Sequence, residues 1–459
     1  MPSSAALSRK AKPSLPPKTA SDLAVVILAA GKGTRMKSAK SKVLHEIAGL
    51  PMIRHIVRAA EQLKPKQIVT VIAPGMDDVA ASVAPYPVAF QKEQKGTGDA
   101  LKSALAVLGD FKGQILVLYG DVPLVSPATL KSLLQHHRKG KGFGATVLAM
   151  APPDPKGYGR IFQNPDGTLS RIVEEADASA DEKLVRMCNS GLMVLEGGGL
   201  AARMKKIRSN NSQGEYYLID IIGVLAKEGL ATGVIRGDYY ELRGVNSRAQ
   251  LAELEQAWQN RKRLEVMADG VTLIDPNAVY FHWDTKIGAD TLIEPNVMFG
   301  PGVEVEEDVH IRAFCHIEGA RIKSGAAIGP FARLRPGADI GEGAKIGNFV
   351  EVKNAKIGKG AKANHLGYIG DAELGDHSNF GCGAITVNYD GLKKSRTVIG
   401  KNVMIGSNAS LIAPITVEDG AYIAAGSTLS KDIPADALAI SRAETKILAG
   451  RGKGRMKKE

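Results

Sequence analysis

From residue 287 onward, small aliphatic side chains return at every sixth position. They stand at Ile287, Ile293, Phe299, Val305, Ile311 and Ile317, then, after a one-residue deletion, at Ile322, Ile328, Leu334, Ile340, Ile346 and Val352. The beat resumes over 357–369, 374–386 and 399–429, and its usual unit is aliphatic-Gly-x-x-small-x, as in "IGPFAR", "IGEGAK", "IGNFVE" and "IGSNAS". A period this short, held over about 140 residues, calls for a solenoid, in which each unit buries its aliphatic by stacking on its neighbours. Three hexapeptides, about eighteen residues, make one triangular coil. The glycine and the small residue are expected to permit the tight corner that follows each inward aliphatic. One stretch, "VNYDGLKKSRTV" between Thr386 and Ile399, interrupts the beat and belongs on the surface as a loop, where function tends to concentrate.

The first half has a different texture. Over 23–245, β-rich runs ("LAVVILAA", "QIVTVIA", "QILVLYGD", "GATVLAM", "GLMVL") alternate with helix-like segments at 52–63 and 99–108, which predicts an α/β domain around a mainly parallel sheet. "NSRAQLAELEQAWQNRKRLEVMADG" then spaces Leu251, Leu254, Trp258 and Arg261 three or four residues apart and ends at Gly270, the pattern of a connecting helix that can cap the solenoid. A chain of 459 residues has room for two or three such domains. Nine of its twelve net positive charges lie in the two ends, so the middle is nearly balanced and nucleic-acid binding is not expected. No apolar run approaches the ~18 residues of a membrane span. The opening "MPSSAALSRKAKPSLPPKTA" has no signal-peptide core, so the cytoplasm is the expected compartment. Cys188, Cys315 and Cys382 form no CxxC pair and read as reduced thiols.

The stretch "VVILAAGKGTRMKSAKSKVLHEIAG" (25–49) ends a strand in a glycine-rich turn. It has Gly31 and Gly33 but Met36 where a dinucleotide fingerprint needs its third glycine, and it lacks the GK[ST] of a P-loop. What remains is a strand-loop-helix whose amides approach a polyphosphate, with Lys32 and Arg35 as countercharge. "VLYGDVPL" sets Asp121 at the carboxyl edge of the sheet, a ligand-binding position in such folds and a possible Mg²⁺ site.

Taken together, "LAAGKGTRM", "KVLHEIAG", "QKEQKGTGDA", "LYGDVPL", "GYGRI", "IVEEADA", "NSGL", "GEYYLID" and "GVNSR" follow the order of bacterial sugar-1-phosphate nucleotidylyltransferases. The later half resembles the hexapeptide-repeat left-handed β-helix family, and its handedness is taken from that resemblance. With "NFVEVKNA", "KANHLGYIGD" and "VNYDG" added, the chain resembles the bifunctional family of N-acetylglucosamine-1-phosphate uridylyltransferases/glucosamine-1-phosphate acetyltransferases, over about 23–442. That resemblance implies UDP-N-acetylglucosamine synthesis for cell-wall precursors. The implied domains are a disordered basic extension (1–22), a uridylyltransferase domain (23–248), a linker helix (249–269), a β-helix acetyltransferase domain (270–442) and a basic tail (443–459).

The resemblance also implies site residues. Leu28, Ala29, Ala30 and Gly31 with the following bases would enclose UTP, and Lys42 and Arg35 would be catalytic, Lys42 offsetting charge as the sugar phosphate attacks the α-phosphorus. Gln91, Gly96 and Thr97 would read uracil, Tyr119 and Gly120 would line the nucleotide site, and Asp121 and Asn246 would hold Mg²⁺. Gly159, Glu174 and Asn189 would bind the N-acetylglucosamine moiety; Ile219 stands where relatives commonly have threonine. In the second half His365 would be the general base for acetyl transfer, a role that suits a near-neutral imidazole. Arg335 and Lys353 would hold the phosphate of glucosamine 1-phosphate, with Tyr368 and Asn379 orienting its sugar. Acetyl-CoA contacts would come from Cys382, Asn388, Tyr389, Ser407, Ala425 and Arg442, supported by Lys394. Cys382, where relatives often have alanine, reads as a small buried residue, and direct transfer is expected. A homotrimer is implied, with the 388–396 loop reaching a neighbouring subunit. The alternative is a nucleotidylyltransferase whose β-helix is only structural or regulatory; it leaves the His365, Lys353 and Asn388-Tyr389 set without a purpose.

Overall fold

The computed structural model describes residues 22–452 apart from Lys32 and Ser212; the segments 1–21 and 453–459 and the expected countercharge Lys32 lie outside the described residues. The chain divides into two compact units, one running to Trp258 and the other starting at Gln259.

In the first unit the sheet order is Ala231–Arg236, Phe143–Met150, Cys188–Glu196, Gln114–Tyr119, Leu23–Leu28, Gln67–Ile72, Val88–Phe90. All neighbours are parallel except Cys188–Glu196, which runs against both strands beside it. The central strands are apolar on both faces because both are covered. On one face Val26, Val71 and Val117 meet Leu101 and Ala104 of the helix Thr97–Leu108. On the other, Ile27, Ile72 and Leu118 meet Ile53, Ile56 and Val57 of the helix Met52–Glu61.

The turn after Leu23–Leu28 departs from the expected strand-loop-helix. Only two 3₁₀ turns, Thr34–Met36 and Lys42–Leu44, follow it, the first bounded by left-handed residues Gly33 (φ 61°) and Lys37 (φ 49°) that break helical continuation. The first α-helix waits until Met52–Glu61, so no helix N-terminus serves this loop.

The second unit is a parallel β-helix with three short strands per coil. Each strand pairs with the equivalent strand one coil on, as in the column Met298, His316, Arg333, Glu351, Tyr368, Ile385, Ser410. The sixth-position aliphatics fill the interior and are buried, apart from half-buried Ile287. The corners correct one expectation. The residue of positive φ is not the glycine beside the aliphatic in most units but the third residue after it: Phe349 (φ 57°) after Ile346, Gly343 (φ 64°) after Ile340, Asn408 (φ 55°) after Ile405. The adjacent glycine is needed for another reason. A Cβ at Gly341 would lie 2.6 Å from the carbonyl oxygen of Ile357 in the next coil.

The helix Arg248–Ala268 contributes its last residues to this unit. Gln259 exchanges hydrogen bonds with the backbone of Phe281 (2.7 and 2.9 Å), and Arg263 Nε donates to Val279 O at 3.0 Å, which satisfies peptide groups of the first coil. At the other end Leu438–Ala439 pairs with Tyr422–Ile423, and residues 443–452 continue as exposed coil.

Candidate functional site

A cavity of ≈ 320 Å³ opens at the carboxyl ends of the central strands. Leu28, Ala29, Ala30, Gly31, Lys42, Gln91, Gly96, Thr97, Tyr119 and Asp121 line it, joined by Val43, Gln94, Ala100 and Glu215, which sequence reasoning missed. The fold explains why these distant segments meet. Gly120 N donates to Leu28 O at 2.9 Å, tying the two central strand ends together, and a Cβ at Gly120 would come 2.9 Å from Ile53. The "KGTG" loop is cradled by the "GEYY" segment: Gly98 N donates to Tyr216 O at 2.7 Å, and a Cβ at Gly96 would lie 2.7 Å from that same oxygen. Gln91 Nε2 donates to Gly96 O and to Asp99, both at 2.9 Å, which fixes its amide at the cavity wall. Arg35 is exposed in its loop and is not among the lining residues.

Lys42 is held from two sides. Its ammonium donates to Asp121 Oδ2 at 2.5 Å and to Asn246 Oδ1 at 3.1 Å. Asn246 is brought there because Val245 N donates to Asp121 O at 2.9 Å. A carboxylate and an amide oxygen converging on one cation are the hard donors Mg²⁺ prefers, with water and phosphate left to complete an octahedron. The donor set therefore fits the ion. No group of three or more His, Cys, Asp or Glu suited to a metal occurs among the described residues.

Beside the cavity, Asn189 N donates to Gly159 O at 2.8 Å, and a Cβ at Gly159 would lie 3.1 Å from a Glu174 carboxylate oxygen. Gly159, Glu174 and Asn189 thus stand together. Burial pushes the Glu174 carboxyl above its ordinary range, helped by the negative charges of Asp177 and Asp220. Burial also raises the Tyr119 phenol, with Glu174 adding to it, while Thr97 hydrogen-bonds the hydroxyl. Glu174 and Ile219 also line a second hollow of ≈ 560 Å³. Cys188 is buried as a free thiol.

In the β-helix, equivalent corners stack coil upon coil. Asn408 N donates to Cys382 O and Gly426 N to Ser407 O, both at 2.8 Å, and Arg442 donates to Ala425 O at 2.9 Å. His365, Cys382, Ser407 and Ala425 consequently form one exposed ridge that leads to Arg442. The expectation that Cys382 is buried is overturned: as the second residue after inward-pointing Phe380 it stands on the outer corner, as Ser407 does after Ile405. His365 Nδ1 is 2.9 Å from Asn348 Oδ1 on the preceding coil. An amide oxygen there accepts from Nδ1–H and leaves Nε2 as the free lone pair. Sequence reasoning missed Asn348, although its place one coil below His365 follows from the 17-residue register.

Another part of the coil carries the other group. Arg335 donates to Glu351 at 2.8 Å, and Lys353 pairs with Gly370 in register. Asn388, 8% exposed, donates to Asp371 at 2.5 Å and to the Tyr368 hydroxyl at 3.4 Å, while Asn354 donates to Asp371 at 2.6 Å. Burial works against the Asp371 carboxylate, but those amides, then Lys353 and Lys394, hold its pKa below the ordinary value. Asn379 lies on the strand before the Cys382 corner, paired with Lys362 of the His365 coil, its amide 3.3 Å from Met404 Sδ. Tyr389 and Lys394 form a bridge across the 388–396 loop, and both are exposed.

Two transferase types are thus joined in one chain: residues 25–180 match the MobA-like NTP transferase domain, and 284–319, 319–354 and 396–431 match the bacterial transferase hexapeptide. Proteins described as "Bifunctional protein GlmU" align along nearly the whole length. The relative from Paramagnetospirillum magneticum is 48% identical over 94% of this chain and 96% of its own; that from Rhizorhabdus wittichii is 50% identical over 93% and 95%. The relative from Staphylococcus haemolyticus is 43% identical over 91% and 96%. The chain belongs to the bifunctional GlmU family.

Proposed function

We infer that the chain acetylates glucosamine 1-phosphate with acetyl-CoA and then transfers UMP from UTP to the product, releasing pyrophosphate and UDP-N-acetylglucosamine. The observation that carries this reading is the grouping of chemistry into two sets, a cavity of glycine backbone, Lys42 and Asp121 in one unit and, in the other, the exposed His365 ridge together with the cations Arg335 and Lys353. We assign the first to 23–248 and the second to 270–442.

In uridylyl transfer an oxygen of the sugar phosphate attacks the α-phosphorus as the bond to pyrophosphate breaks. Both partners are anions, so charge neutralisation and alignment are what the protein must supply. The 28–31 backbone and Lys42 hold the triphosphate, Gln91, Gly96 and Thr97 hold uracil, and Gly159, Glu174 and Asn189 hold the acetylated sugar. Mg²⁺ held by Asp121 and Asn246 would supply further charge neutralisation at the phosphates.

In acetyl transfer the sugar amine attacks the thioester carbonyl, and CoA leaves as its thiolate. His365 Nε2 takes the amine proton, with Asn348 holding the other ring nitrogen. Arg335 and Lys353 bind the sugar phosphate, Tyr368 and Asn379 orient the ring, and the narrow side chains of Cys382, Ser407 and Ala425 give an extended thioester a path toward Arg442. Asn388 and Tyr389 wall the site, and we propose that a homotrimer completes it. Reduced thiols and both nucleotide substrates suit the cytoplasm; no described helix is long and apolar enough to cross a membrane.

The test is one reaction with glucosamine 1-phosphate, acetyl-CoA, UTP and Mg²⁺, resolving N-acetylglucosamine 1-phosphate from UDP-N-acetylglucosamine. Both products are expected in sequence. Failure to acetylate, with UDP-N-acetylglucosamine formed only from supplied N-acetylglucosamine 1-phosphate, would refute the two-step reading.

A further inference from the structure

We propose that Lys42 is the resident cation of the metal site in the nucleotide-free protein, and that entry of the triphosphate draws its ammonium away and opens Asp121 and Asn246 to the divalent ion. The proposal rests on the reading of those two residues as metal ligands. The ammonium lies 2.5 Å from Asp121 Oδ2 and 3.1 Å from Asn246 Oδ1, so it stands where the two oxygens converge. The pair is sheltered: the Lys42 and Asp121 side chains are only 12% and 19% exposed. A divalent cation arriving alone must compete with an ammonium that already neutralises the Asp121 carboxylate and occupies the point where it converges with the Asn246 amide oxygen.

The loop is shaped for this placement. Gly33 has φ +61°, and a Cβ there would lie 2.6 Å from Lys42 Cβ and 3.4 Å from its Cγ. The missing side chain is what lets the lysine stem pass across the turn into the cavity. Lysine suits a movable countercharge because a compact ammonium rides on a flexible four-carbon stem, and the triphosphate offers it more negative charge than one carboxylate does. Metal and nucleotide then bind cooperatively, with each favouring the state in which Lys42 has moved to the phosphates.

The experiment measures binding of Mn²⁺, an Mg²⁺ substitute visible by electron paramagnetic resonance, to protein without nucleotide and with a non-hydrolysable UTP analogue. Without nucleotide, Lys42→Met should bind Mn²⁺ roughly tenfold tighter than the native protein or better, because an uncompensated carboxylate replaces an ion pair. Lys42→Gln should do the same, and Lys42→Met/Asp121→Asn should lose the gain; thermal unfolding verifies that each variant is folded. Equal Mn²⁺ affinity of the native protein and both Lys42 variants without nucleotide would overturn the proposal. If Asp121→Asn binds Mn²⁺ as tightly as the native protein when the UTP analogue is present, the ligand assignment itself is wrong and the proposal falls with it. The two failures are separated by the nucleotide arm.

Discussion

Gly370 has no room for a side chain while Tyr368 keeps its place: a Cβ there would lie 2.3 Å from the Tyr368 hydroxyl. Because that atom is the far end of a movable ring, Gly370→Ala should fold, with stability changed by about 1 kcal/mol or less, yet swing Tyr368 off the proposed sugar site. Acetyl transfer should fall roughly tenfold in kcat/KM through lost positioning, and steady-state assays should show uridylyl transfer unchanged. Asn348 acts on the base itself. Asn348→Leu should lower kcat of acetyl transfer roughly tenfold or more by releasing the tautomer. Asn348→Asp, which places a carboxylate at Nδ1 and stabilises imidazolium, should move the acidic limb of the rate–pH profile to higher pH. A purely structural asparagine would leave that limb where it is. Glu174 offers a test on stability. Its folded pKa is raised by burial first and by Asp177 and Asp220 next, so ionisation costs stability as pH climbs through and above the unfolded carboxylate value, and that cost is absent below it. Glu174→Gln should therefore raise Tm at neutral pH, with the gain shrinking as pH is lowered through the carboxylate range, whatever it does to activity.

At the scale of the coil, two neighbouring glycines separate two causes. Gly341 lies under the next coil, 2.6 Å from Ile357 O at the Cβ position, and Gly343 turns the corner at φ +64° with open space around it. Gly341→Ala pushes on backbone and should cost about 1–3 kcal/mol or more. Gly343→Ala should cost about 1 kcal/mol, and Gly343→Asn less, because asparagine tolerates the left-handed region. Urea unfolding of the three variants checks the ranking. This distinction was not legible in the hexapeptide, since a repeat records which positions are small but not whether the reason is torsion or the coil above. The inward aliphatics were legible because one period governs them all. The cavity-lining glycines, Lys42 and Asp121 were likewise legible as a set of motifs. What joins them was not: Lys42 meets partners 79 and 204 residues away, and no local pattern encodes such a meeting. Cys382 failed for a related reason, because "FGCGAI" is small throughout and only the corner geometry decides which small residue faces out.

For the molecule as a whole, the two sites should be separable because each is assembled from residues of one unit. Asp121→Ala should abolish uridylylation and leave acetylation near its native rate, and His365→Ala should do the reverse; equal loss of both activities in a folded variant would contradict the assignment. The proposed trimer makes a stricter demand on the 388–396 loop. Its root belongs to its own chain, since Asn388 is buried against Asp371 and Tyr368. Its outer part is open to solvent: Tyr389 is 56% and Leu392 94% exposed, with Lys393 and Lys394 exposed alongside them. A corner of a solenoid is too open to exclude water from a thioester, so a wall from elsewhere is needed, and a loop carrying an aromatic ring and two cations on a tethered root suits a neighbour's site. The variant that tests this must change the tip and spare Asn388, whose loss would disturb Asp371 within the same chain. His365→Ala and Tyr389→Ala/Lys394→Ala, each expected to be inactive in acetyl transfer alone, are mixed under conditions that let subunits exchange. If base and tip come from different chains, mixed trimers contain sites with both parts native, and acetyl transfer recovers partially. Mixed trimers captured through two different tags but showing no recovery would mean that each chain walls its own site.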